Sequence, residues 1–122
     1  MELKKDCVRD LLVYFEHELS YDNEVNVSSI SLKDYSKDDI IYTSDKLLEA
    51  GFINASRTGT IGSRYPVIIV KSLTYQGHRF LDNVRSPEIW SETKRKLKTL
   101  GSVSLDIISQ VASSIIINKL KN

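Results

Sequence analysis

The stretch from Lys46 to Asp82, KLLEAGFINASRTGTIGSRYPVIIVKSLTYQGHRFLD, narrows the fold more than any other part of the chain. Gly51 stands where a helix needs a left-handed stop, and Phe52 and Ile53 begin an extended segment. Residues 52–56 and 66–73 read as strands, the second rich in β-branched side chains, so a hairpin with a tip at 57–65 is expected. Thr74 is placed to cap a following helix that carries Phe80, Leu81 and Val84, and Gly77 near its start leaves room for the sheet to come close.

Upstream, Leu3, Cys7, Val8, Leu11, Leu12, Phe15 and Leu19 recur at helical spacing, with charged residues mostly opposite, which predicts an amphipathic first helix. Residues 21–24 are turn-like, and 25–30 alternate as a short strand or extended piece does. Ser36 precedes Asp39 by three residues, an imperfect capping box opening a helix over 37–50 whose Ile40, Ile41, Leu47 and Leu48 face one way around the small Ser44. Downstream, Ser86-Pro87-Glu88 repeats a start signal, and a helix over 87–100 through Ile89, Trp90, Leu97 and Leu100 is expected to stop at Gly101. Residues 104–121 form a last, greasy helix.

A chain of 122 residues with 41% hydrophobic and 27% charged residues is expected to fold as one globular domain. The longest aliphatic run, Val67 to Val70, is far short of the roughly 20 residues that span a bilayer, and the charged start lacks an apolar region, so no membrane association is expected. One cysteine, Cys7, rules out an internal disulfide, and a cytoplasmic location is the default. The net charge of +1 hides an asymmetry: residues 1–56 hold 6 basic and 12 acidic side chains, and residues 57–100 hold 9 basic and 3 acidic. Such a dipolar chain suits a polyanion, a complementary protein, or mutual offset of its own halves.

The element order is that of a winged helix-turn-helix. KLLEAGFI resembles the end of a winged-helix recognition helix, and SLTYQGHRFLD resembles the Leu-Thr-x-x-Gly-x-x-Phe-Leu phrase that follows the wing. With the ensuing IWSETKRKLKTLGSVSLDIISQVA, the chain resembles an uncharacterised family of small phage- and prophage-borne proteins, a domain of unknown function. The resemblance implies an α+β class: a winged-helix domain over 1–84, with an amphipathic N-terminal helix, a recognition-type helix and a hairpin wing. Residues 85–122 would then form two or three extra helices packed on the same domain. It carries over no catalytic residue.

Catalytic chemistry finds little purchase. His17, His78 and Cys7 lack the paired spacing of structural zinc sites. Ser91-Glu92-Thr93-Lys94 has the Ser-x-x-Lys spelling of some acyl enzymes without their companion motifs, and 59–63 lacks the Gly-Lys-Ser/Thr of a P-loop. Asp38 and Asp39 point about 100° apart and suit a helix start better than acid–base work. A non-enzymatic protein without metal or cofactor is expected.

Two binding classes stay open. For duplex DNA, the helix over 37–50 would enter a major groove with Lys37, Tyr42, Thr43 and Lys46 exposed, while Arg57, Thr58, Thr60, Ser63 and Arg64 of the wing hold phosphates and Tyr65 stacks or packs. Against this, Asp38, Asp39, Asp45 and Glu49 leave that helix net negative. Lys94, Arg95, Lys96 and Lys98 form a broad collar that could extend a footprint or simply be a solvated face. The competing class is a protein-interaction module for a host or phage partner, using the acidic helix or the greasy C-terminal one. Ile108, Val111, Ile115, Ile116, Ile117 and Leu120 of that last helix form a candidate partner surface or homodimer interface.

Overall fold

The computed structural model describes residues 1–59, 62 and 64–121. The class is α+β: among the described residues there are five α-helices and a small three-stranded antiparallel sheet. The chain divides into two compact units, Met1–His78 and Arg79–Asn122. None of its described helices is long and apolar enough to cross a membrane.

In the first unit, α1 (Lys5–Glu18) buries Cys7, Val8, Leu11, Leu12 and Phe15, the stripe expected from spacing. Leu3 precedes the helix and is 36% exposed. The expected extended piece divides into a two-residue strand, β1 (Val25–Asn26), and a single 3-10 turn, Val27–Ser29. The turn wins after Asn26 because the Asn26 side chain accepts from the Ser28 amide at 3.0 Å, a local bond that competes with continued pairing.

Helix α2 (Lys37–Glu49) opens on a full capping box: Ser36 Oγ accepts from the Asp39 amide, and the Asp39 carboxylate accepts from the Ser36 amide. It closes at Gly51, whose φ of 77° lets the Phe52 amide turn back to the Leu47 carbonyl and the Gly51 amide to that of Leu48. Strands β2 (Ile53–Thr58) and β3 (Val67–Leu73) then form the hairpin, with β3 central in the order β1-β3-β2. Asn54 faces Ser72 but Ala55 faces Val70, so Lys71 is an extra residue in β3. The bulge shifts the alternation by one, and Ile68, Val70 and Leu73 all stay buried.

Helix α3 (Tyr75–Val84) starts at Thr74, whose hydroxyl accepts from the Gly77 amide at 3.0 Å and donates to the Gly51 carbonyl at 2.5 Å. The sequence-expected close approach at Gly77 is present: a β-carbon there would overlap the Phe52 carbonyl oxygen. In the second unit, α4 (Pro87–Leu97) is capped by Ser86 and runs into a 3-10 turn over Lys98–Leu100 before Gly101. Helix α5 (Leu105–Lys121) pairs with α4, burying Ile108, Ala112 and Ile115. Lys119 reaches Glu92 at 3.0 Å. Asn83 of α3 donates to Ser109 of α5 at 2.8 Å.

Candidate functional site

Of the residues singled out from sequence, Lys37, Tyr42, Lys46, Arg57 and Arg64 belong to one surface of the first unit, made by α2 and the β2–β3 hairpin. The helix sets the spacing. Its buried side, Ile40, Ile41, Thr43, Ser44 and Leu47, spans a wide stripe, which leaves Lys37, Asp38, Tyr42, Asp45, Lys46 and Glu49 at least partly open to solvent.

Thr43 is the correction. Expected on the open side, it is 1% exposed. Its hydroxyl bonds to the Cys7 sulfur, and Cys7 in turn lies 3.9 Å from the Asp39 carbonyl. The reason is stripe width: positions 40, 43, 44 and 47 share a helix face, and α1 packs on that side, so position 43 falls inside. Burial pushes the Cys7 thiol above its ordinary value, as expected for a structural cysteine.

The wing arginines are engaged by the helix. Arg57 donates from Nε and Nη2 to the two carboxylate oxygens of Asp45, at 2.8 and 3.1 Å. Arg64 donates to Asp38 Oδ2 at 3.3 Å, and the Tyr65 hydroxyl donates to Asp38 Oδ1 at 2.5 Å. Lys37 Nζ and the Arg64 guanidinium lie 5.2 and 5.4 Å from the centre of the Tyr65 ring. Lys46 pairs with Glu49 at 2.8 Å and rests 5.3 Å from the Tyr42 ring.

These contacts shift the titration of the groups that make them. The Asp45 carboxylate raises Arg57 above an already high value, the Asp38 carboxylate raises the Tyr65 phenol, and the Glu49 carboxylate raises Lys46. Lys4 holds the Asp39 carboxyl below the usual range, and the same carboxylate closes the capping box at the start of α2. Thr58 is exposed at the end of β2, while Thr60 and Ser63 lie outside the described residues.

Sequence reasoning named the acids and the arginines separately and missed their pairing. The signal was present in outline, since a helix that ends at Gly51 and turns directly into β2 must bring the hairpin back along its own flank.

The C-terminal candidates divide. Ile108 and Ile115 are 1% and 5% exposed, so they are core residues and not a partner surface. Val111 and Ile116 are half-buried, and Ile117 and Leu120 are exposed. A shallow groove in this unit is lined by Lys96, Gln110, Val111, Ser114, Ile115 and Asn118. Among the described residues no cluster of His, Cys, Asp or Glu is arranged to hold a metal ion.

No solved structure matches the chain. An uncharacterized protein of Haemophilus influenzae is 29% identical over 119 residues, covering 95% of this chain and 96% of that protein. A family model described as "Hypothetical protein (DUF2513)" matches residues 2–104, and the chain belongs to that family.

Proposed function

We propose that the Met1–His78 unit is a regulatory winged-helix module of phage or prophage type, with α2 as the recognition-type helix and the β2–β3 hairpin as the wing, reading duplex DNA without catalysis. The observation that supports this is adjacency. Two arginines of the hairpin reach carboxylates of α2, so Lys37, Tyr42, Lys46, Arg57 and Arg64 belong to one continuous face of mixed donors. A groove-bound helix flanked by a phosphate-gripping hairpin needs that arrangement.

The test is fluorescence anisotropy with a mixed-sequence duplex at about 50 mM salt, where non-specific affinity on the order of micromolar is expected. Replacing Lys37, Tyr42, Arg57 and Arg64 together by alanine weakens it severalfold. Wild-type binding indifferent to all four changes overturns the reading, and so does the absence of binding by wild type and by every charge variant of this face.

A second reading, a protein-docking module, has its own observation. The face carries four basic side chains (Lys37, Lys46, Arg57, Arg64) and three acidic ones (Asp38, Asp45, Glu49), so it is close to charge-balanced. Tyrosine and arginine are the residues enriched where proteins meet. The single 3-10 turn before α2, where a helix-turn-helix carries a full helix, also suits a departure from DNA reading. Absent DNA binding favours this alternative.

A further inference from the structure

We infer that Asp38 and Asp45 are an intramolecular mask over the arginines of the hairpin, standing where DNA phosphates would otherwise bind, so that nucleic-acid affinity is held low until those carboxylates are neutralised or drawn away. The inference rests on the DNA reading of the same face and concerns its regulation.

The geometry is that of a ligand mimic. A guanidinium takes carboxylate and phosphate in the same two-pronged fashion, and Arg57 gives both prongs to Asp45. Asp38 is held twice, by Arg64 and by the Tyr65 hydroxyl, which fixes it against the hairpin just past the tip. Both carboxylates come from α2, whereas both arginines come from the hairpin, so the pairs bridge the two elements that a duplex would have to engage together.

Exposure makes the mask reversible. The Arg57 and Arg64 side chains are 47% and 76% exposed, and those of Asp45 and Asp38 are 20% and 43% exposed. Ion pairs this open to water are held by only a few tenths to about 1 kcal/mol each. A phosphate can therefore displace either one, but the displaced carboxylate then stays beside a polyanion and repels it. Both effects lower affinity in the resting protein.

The experiment compares full-length wild type, D38N/D45N, and D38N/D45N/R57A/R64A for binding to a mixed-sequence DNA duplex across a salt series. The double variant should bind at least about tenfold more tightly near 50 mM salt, and its slope of log affinity against log salt should steepen by up to roughly 1.8 units for two recovered phosphate contacts. The quadruple variant should lose that gain. D22N/D34N removes two exposed negative charges from the loops that precede α2 and should gain much less. Thermal melts by circular dichroism establish that each variant is folded, and D45N alone, which spares the first turn of α2, should show about half the effect.

The mask is overturned if D38N/D45N binds no more tightly than wild type, if the gain survives in the quadruple variant, or if D22N/D34N matches it. Measurable wild-type binding that depends on Arg57 and Arg64 but ignores D38N/D45N sinks the mask alone. No binding by any variant sinks the mask and the DNA reading together.

Discussion

The carbonyl oxygen of Phe52 occupies the volume that a β-carbon on Gly77 would fill, with the Phe52 carbonyl carbon close behind it. Phe52 follows the stop of α2, and Gly77 lies in the first turn of α3, so the contact fixes how the hairpin hands over to the next helix. The same junction carries the bonds from the Thr74 amide to the Phe52 carbonyl and from the Thr74 hydroxyl to the Gly51 carbonyl.

At an ordinary helix position, replacing glycine by alanine stabilises by about 1 kcal/mol. Here the sign should reverse, because the added methyl meets rigid backbone. Gly77→Ala is expected to cost about 1–3 kcal/mol. Urea unfolding that shows G77A as stable as wild type, or more so, would contradict the packing described.

That junction was readable in advance, because glycine stops and threonine caps are local signals, as were the capping box at Ser36 and the Ser86-Pro87 start. What escaped were relationships set by tertiary packing. Thr43 looks like an open-face residue until α1 is known to lie across that side of α2. The pairing of Arg57 with Asp45 and of Arg64 with Asp38 joins residues 12 and 26 positions apart, and depends on how the hairpin leans, which composition does not encode. Within α5, apolar residues on several faces obscured which would be core, and the packing against α4 selected Ile108, Ala112 and Ile115.

Asp39 makes stability depend on acid. Its carboxyl is held low first by the hydrogen bond from the Lys4 ammonium and then by the Ser36 amide. A carboxyl with a lower value folded than unfolded contributes stability that is fully present above its unfolded value, near pH 4, and is lost as pH falls through the folded one. Lys4→Met should therefore make the loss of stability below about pH 4 shallower. Ser36→Ala should cost about 1 kcal/mol at neutral pH through the cap. Urea midpoints between about pH 2.5 and 7 test both, and an acid limb identical in K4M and wild type would rule out the linkage.

Ser44 is 0% exposed, and its hydroxyl has no hydrogen-bond partner among the described residues. A buried hydroxyl left unpaired costs on the order of 1–3 kcal/mol, and serine is also a weaker helix former than alanine. Ser44→Ala should raise stability by about 1 kcal/mol, an unusual direction for a core substitution. A lower melting temperature in S44A would mean that the hydroxyl is satisfied in solution.

The last prediction separates core from surface on α5. Ile108 is 1% exposed, and its truncation to alanine should cost about 2–5 kcal/mol, because packing around a fully buried isoleucine closes only partly over the space left. Leu120 is 82% exposed and Ile117 49% exposed, so Leu120→Ser and Ile117→Ser should each stay within about 0.5 kcal/mol if these side chains face only water. A homodimer through this helix would behave differently. The melting temperature of wild type would rise with protein concentration, and the two serine variants would remove that dependence while leaving the dilute protein unchanged. Melts recorded over about a hundredfold range of concentration decide between these outcomes, since a concentration-independent wild type leaves Ile117 and Leu120 without a second copy to cover them.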